Sequence, residues 1–372
     1  MADIIFDSTG SIESFSNNIN ILSAKNESVM ILACDANGFK KELIDPILLK
    51  QTISIIGGIF PSIIYNTKKY DQGTIFIGLN DKMQINTIKD ISQKDFDQLD
   101  ADMEEQIDDF NESFKTMFVL IDGLTKHIGK CVNILFDNYG LGINYIGGGT
   151  GSLSFEQKPS LFTNHGLIQD ALVYAYSKYP SSIGVNHGWK SISGPYQVTK
   201  SEATIVKELD YRPAFEVYKD VVEQHTSESI NEKNFFDISK SYPLGINTLS
   251  DEKIVRDPIL LNGTEMICVG NVEEGSYVDI LQGDKYALIK AAKNAADISK
   301  ENMDFENDFT LFIDCISRVL FLEEDFDDEI KVVCKGNIPL IGALTFGEIA
   351  NNGKDYLEFF NKTSVVGHIG HG

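Results

Sequence analysis

Short, β-branched apolar runs closed by turn residues recur along this chain, and they constrain the fold more than any other feature. Residues 29–34, 53–56 and 74–79 are of this kind, with helical spacing over 41–51 between the first two, so the start reads strand, helix, strand, strand. Further runs at 132–136 and 144–146 read as strands leading into Gly147-Gly148-Gly149-Thr150-Gly151. Residues 155–161, 166–175, 183–189, 197–199 and 205–209 form a strand-rich middle, and Pro213 opens a helix through Val222. Beyond a polar linker at 224–233, strands are expected at 254–261, 265–269, 276–281, 309–315, 340–346 and 355–366, with a helix over 286–299. Regular strand–helix alternation fails after Val132, which argues against a doubly wound nucleotide fold. The expected class is α/β (α+β): two domains, 1–225 (core from about 28) and 226–372, with mixed or antiparallel sheets flanked by helices. No short-period repeat and no low-complexity tract is visible.

Charge narrows the class of partner. With 32 Lys and Arg against 55 Asp and Glu, the formal net charge is −23, so the summed field repels phosphates and anionic lipids. Nucleic acid and membrane surfaces are not expected partners. Residues 95–115 carry part of this charge with Leu99, Met103, Ile107, Phe110 and Phe114 three or four apart, the pattern of one solvated helix. The five scattered cysteines lack the spacing of a disulfide framework or a structural zinc site. Residues 1–7 lack a signal-peptide pattern and no apolar run approaches the ~18 residues of a membrane span, so a cytoplasmic protein is expected.

The chemistry-bearing residues are few. The glycine cluster at 147–151 is neither a P-loop nor a dinucleotide fingerprint; it reads as a tight turn, with an anion nest as the alternative. None of the six histidines falls in a metal-binding pattern, and no G-x-S-x-G elbow occurs, so no metal and no catalytic residue is expected. His187 is set apart by ending an apolar run beside Trp189, the only tryptophan. Arg256, Arg318 and Glu348 interrupt apolar strands. A guanidinium at the end of a buried strand needs a carboxylate, supplied either by the protein or by a ligand.

Taken in order, these segments resemble the FIST family, whose name joins F-box and intracellular signal transduction. In an N-terminal half the resemblance rests on Ile55-Ile56-Gly57-Gly58, the glycine cluster, residues 155–175, His187-Gly188-Trp189, Gly194-Pro195, Val198-Thr199, Glu208-Leu209-Asp210 and Pro213-Ala214. In a C-terminal half it rests on Tyr242-Pro243-Leu244-Gly245, Val255-Arg256, Glu274-Gly275, Cys315-Ile316-Ser317-Arg318, Gly347-Glu348-Ile349 and Asn361-Lys362-Thr363. The family more often carries cysteine and serine after the glycine where this chain has Gly57-Gly58-Ile59.

The resemblance implies a sensory module without catalytic activity, holding a small ligand such as an amino acid or small carboxylate in a pocket between the halves. Both halves consume this sequence, so a stand-alone sensor relaying to a separately encoded histidine kinase or other signalling protein is expected. Arg256 and Arg318 would grip a carboxylate, Glu348 would meet an amino group or steady an arginine, and Asn361, Gly148, Gly149 and Trp189 would orient polar contacts. No cofactor is expected on this reading. The alternative, drawn from haem-binding relatives that respond to nitric oxide, gives His187 the role of axial ligand.

Overall fold

The computed structural model describes residues 2–107, 110–248, 253–301, 303–351 and 356–371. Its strands assemble into one unit used three times. The first copy runs through strand Asp3–Asp7, helix Ile12–Ser23, strand Ser28–Cys34, helix Lys41–Leu48 and strand Ser54–Phe60. It then makes the hairpin Ile63–Tyr65 with Lys68–Tyr70 and the return strand Thr74–Leu79. The second repeats that order over Gln84–Lys89, Phe96–Glu104, Thr116–Asp122, Ile128–Tyr139 and Asn144–Thr150, then the hairpin Leu161–Thr163 with Gly166–Ile168, and Ala171–Ser177. The third opens with Ser181–Asn186, is interrupted by residues 190–282, and resumes at helix Lys285–Glu301 and strand Glu306–Cys315. Helices Ile316–Leu322 and Phe326–Val333 lead to strand Leu340–Thr345, the hairpin Glu348–Ala350 with Glu358–Phe360, and the return strand Ser364–His371.

Each copy builds a six-stranded sheet around a parallel pair: Ser28–Cys34 with Ser54–Phe60, Thr116–Asp122 with Asn144–Thr150, and Glu306–Cys315 with Leu340–Thr345. A parallel pair requires a crossover, and in every copy helix supplies it. The hairpins are exchanged in a ring. The first copy's hairpin joins the third sheet, the second's joins the first sheet, and the third's joins the second. Strands from both halves of the sequence therefore share sheets. One face of each sheet meets a common core that includes Met30, Phe118, Ile146, Leu311 and Val365, while helices cover the opposite faces.

The repeat is carried by register. Gly57 pairs with Ile31, Gly147 with Val119 and Gly342 with Phe312. In each case a Cβ on the glycine would lie within 2.4 Å of the partner's carbonyl oxygen, so a side chain is excluded three times for one reason. The residues 190–282 inserted in the third copy form an antiparallel barrel. Its closing strand, Lys190–Glu202, pairs with both Tyr277–Gln282 and Ile205–Leu209. Helix Ala214–Val222 and helix Phe235–Ser239 pack into the barrel's apolar core with Val198, Met266 and Ile280.

The expected α+β class with mixed and antiparallel sheets flanked by helices is what the chain forms. Four local expectations change. Residues 132–136 lie in helix Ile128–Tyr139, because Cys131, Leu135 and Tyr139 present one buried face at helical spacing. The helix expected over 95–115 is Phe96–Glu104, capped by Asp95 and Gln98 and burying Leu99 and Met103; Phe110 and Phe114 rejoin the same core from a turn. Of residues 155–161, only Leu161 enters a strand. Gly147, Gly148 and Gly149 are strand rather than turn, and only Gly151 of that cluster has a positive φ, 149°.

Gly147→Ala is expected to cost at least about 1–3 kcal/mol in urea unfolding, because the backbone against its Cβ cannot yield. Gly142→Ala, where nothing lies within 4 Å, serves as the control and should be near neutral. Equal effects would show that the repeated glycines do not set the sheet spacing.

Candidate functional site

The third copy departs from the other two at two equivalent positions. Opposite the second strand of each parallel pair, the exchanged hairpins place Leu161 against Gly58, Ile63 against Ala343 and Glu348 against Gly148. Leu161 and Ile63 belong to the common core, so Glu348 puts a carboxyl where its counterparts are aliphatic. Three residues beyond Cys34, Asp122 and Cys315, which end the first strands, stand Asn37, Thr125 and Arg318. Asn37 bonds the Gly73 backbone and Thr125 bonds Asp170, each just before the return strand of its own copy.

Arg318 lies on helix Ile316–Leu322, not at a strand end, and is fully buried. Its Nε is 3.1 Å from both Asp314 and Glu329, and Nη2 also donates to Glu329. The remaining donors reach the carbonyls of His187 at 2.7 Å, Lys362 at 3.2 Å and Leu288 at 3.0 Å. A guanidinium has five N–H donors, and all are engaged inside the protein. Arg256, also buried, donates to the carbonyls of Asn271, Val255 and Phe359 at 2.9–3.0 Å. Burial pulls its pKa down to about 10, against the opposing pull of Glu358. Neither arginine is held ready for a ligand carboxylate.

Glu348 accepts from the Thr345 hydroxyl at 2.9 Å and the Thr363 amide at 3.2 Å. Burial pushes its carboxyl up to about 8 despite those bonds. Asp314 is likewise raised well above the carboxylate range, by burial first and by Glu329 next. Lys362, fully buried, sits 3.2 Å from Asp257, donates to the Lys240 carbonyl at 3.0 Å and lies 5.1 Å from the centre of the Trp189 ring. Trp189 Nε1 in turn donates to the Lys362 carbonyl at 3.1 Å. The buried set thus holds four carboxyl groups, Asp257, Asp314, Glu329 and Glu348, and three cations, Arg256, Arg318 and Lys362.

Beside this network is a cavity of about 400 Å³, at the carboxyl ends of strands Glu306–Cys315 and Leu340–Thr345, where open α/β sheets place their ligands. Leu153 and Phe155 reach it from the N-terminal half; Phe236, Ile259, Leu320 and Phe346 line it from the C-terminal half. Phe155 meets Phe346 edge-on at 5.8 Å. Its polar contributors include Asp257, Ser317 and Asn361. The Ser317 hydroxyl donates to Asp257 Oδ2 at 2.8 Å, and Asn361 Nδ2 donates to the Phe360 carbonyl at 3.0 Å. Asp257 Oδ1 and Asn361 Oδ1 are buried without a partner among the described residues.

Of the expected site residues only Asn361 lines this cavity. Gly148 and Gly149 lie in the sheet behind it, where the backbone of 346–347 crosses; Gly149 N–H donates to the Gly347 carbonyl at 2.9 Å. No anion nest forms there. Trp189 and His187 border a separate, open cavity with Lys190, Lys253 and Lys290. His187 Nδ1 accepts the Trp189 N–H at 2.9 Å, and burial pulls the ring's pKa down to about 4, so the neutral ring carries its proton on Nε2. A metal-ligating histidine donates from its second nitrogen, whereas this one accepts there, so His187 does not fit the role of axial haem ligand.

Asp257, Ser317, Lys362, Asp314 and Glu329 belong to this buried network and cavity wall, and sequence reasoning did not single them out. Three are chain neighbours of residues it did: Asp257 of Arg256, Ser317 of Arg318 and Lys362 of Asn361. Glu329 carried a legible signal, since it shares the buried helical face of Phe326, Ile330 and Val333 within an acidic run.

The chain is a three-sheet α+β body with an inserted barrel and a cavity at its strand ends. The chain belongs to the FIST family: the FIST N domain model matches residues 28–212 and the FIST C domain model residues 214–351. These domains are associated with signal transduction and ligand sensing. An uncharacterized protein of Methanocaldococcus jannaschii, MJ1623, is 24% identical over 231 residues, covering 55% of this chain and 44% of that protein. The chain thus spans less than half the length of that relative. Among the described residues no helix is long and apolar enough to cross a membrane.

Arg318→Ala leaves Asp314 and Glu329 buried without their cation and is expected to cost about 3–5 kcal/mol in denaturant unfolding; a loss below about 1 kcal/mol would contradict the engaged guanidinium. A second expectation concerns pH. Between about 4.5 and about 8 the folded chain keeps the Glu348 proton that the unfolded chain releases, so this group lowers stability as pH rises through that window. Glu348→Gln should therefore lose less stability than the native protein on going from about pH 5 to about pH 8. Equal losses in urea titrations at the two pH values would rule this out.

Proposed function

We propose that this chain is an intracellular small-ligand sensor that binds rather than transforms its ligand and relays occupancy to a separate signalling protein. The observation that carries the reading is the 400 Å³ cavity at the strand ends, walled by both halves of the chain, with two lining residues whose buried oxygens have no partner among the described residues. Pockets of a few hundred Å³ with apolar walls and a few placed polar groups are the usual form of small-molecule sites. Signalling requires only that the ligand bind one arrangement of its walls better than another. The loop carrying Leu153 and Phe155 is suited to such a change, since both side chains are substantially exposed at the mouth. The arginine–carboxylate network holds the opposite wall in place and does not itself receive the ligand.

A thermal-shift screen of the purified protein against amino acids, small carboxylates, amines and alcohols tests this reading. A ligand at a hundred times its Kd adds about 2.7 kcal/mol, a shift of a few degrees. The expected result is at least one reproducible shift that Leu320→Trp, which fills the cavity, abolishes while the variant keeps a cooperative melt. A silent screen, or a shift that survives Leu320→Trp, would refute the cavity as the sensor site.

A further inference from the structure

We propose that the cavity takes an apolar amine, a protonated amino group on an aromatic or aliphatic body, and not a molecule bearing a free carboxylate. The inference rests on the sensor reading and specifies its ligand. The side-chain atoms of the lining residues Asp257 and Asn361 that lack a hydrogen-bond partner among the described residues are acceptors. Asn361 is oriented by its Nδ2 bond to the Phe360 carbonyl at 3.0 Å, so the atom that remains is Oδ1. Ser317 directs its one hydroxyl proton to Asp257 Oδ2, which leaves Asp257 Oδ1. Both residues are 1% exposed, and buried oxygens left unbonded are costly, so a ligand that donates to them is favoured over one that does not.

Among the described residues no lysine or arginine lines the cavity to answer a carboxylate. The nearby cations are engaged: Lys362 with Asp257 and the Lys240 carbonyl, Arg256 with three carbonyls, Arg318 with two carboxylates and three carbonyls. The field of the whole chain points the same way, since a net charge of −23 attracts a cation. The remaining lining, with Phe155, Phe236, Ile259 and Leu320, suits the ligand's apolar body. A free amino acid satisfies the acceptors with its ammonium group but leaves its carboxylate unmatched in an apolar wall. The chemistry selects the amine that remains once an amino acid has lost that group.

Isothermal titration of the full chain with four matched probes, 2-phenylethylamine, 2-phenylethanol, 3-phenylpropionate and phenylalanine, separates the possibilities. The amine is expected to bind at least about tenfold more tightly than the acid and phenylalanine, with the alcohol between. Asp257→Asn should weaken the amine by about tenfold or more while changing the alcohol less. The comparison of probes on the native protein stands even if that variant fails to fold. Acid or phenylalanine binding as tightly as the amine, in a manner abolished by Leu320→Trp, would overturn the amine assignment and leave the sensor reading intact. Four silent probes would overturn the assignment as well, and the sensor reading falls with it only if the wider screen is also silent.

Discussion

The Arg318 guanidinium is the contact on which the third copy of the fold depends. Its five donors tie together five separate stretches of chain: strand Glu306–Cys315 through Asp314, helix Phe326–Val333 through Glu329, and three backbone carbonyls at His187, Leu288 and Lys362. Two of those carbonyls flank the inserted barrel, since His187 precedes strand Lys190–Glu202 and Leu288 follows strand Tyr277–Gln282. One side chain thus holds both ends of a 93-residue insertion, 190–282, against the body that receives it. The other two copies need no such clamp and use a neutral side chain, Asn37 or Thr125, to tie a loop to the return strand. A planar fork is suited to this task because its donors diverge in fixed directions.

Burying that charge forces what surrounds it. A desolvated guanidinium demands carboxylates, and carboxylates crowded in a low-dielectric interior raise one another's affinity for protons. Asp314, raised by burial and then by Glu329 and Glu348, bears this out, while Glu348 is raised by burial. Glu348 is also the point where the repeat's own pattern is broken, a carboxyl in the place of Leu161 and Ile63. Local departures from a consistent pattern concentrate where function is placed. Here they lie next to the cavity, in the copy that carries the barrel.

Much of the secondary structure was legible because strands are short, β-branched and bounded by turn residues, as at Ser28–Cys34 and Thr74–Leu79. The glycine cluster misled because glycine answers two different needs. At a turn it supplies positive φ; at Gly147 it admits a neighbouring backbone, and local sequence does not separate the two. Arg256, Arg318 and Glu348 were marked as polar groups in apolar surroundings, and all three are buried, yet the identity of their partners was not readable. Asp314 lies four residues from Arg318, Glu329 eleven, and the His187 carbonyl 131. Contacts to backbone carbonyls leave no trace in side-chain identity, so an arginine satisfied by them reads like one awaiting a ligand.

The sequence by itself determined the α+β class, the family, the acidic field and the presence of buried charges, because each follows from local pattern or from composition. The threefold repeat was decided only in three dimensions. Its copies share strand order and register rather than residues, and its hairpins are exchanged between sheets that are distant along the chain. The cavity was decided there too. Its walls come from residues 153 to 361, and whether a polar group faces a ligand or another part of the protein depends on packing that no local stretch encodes.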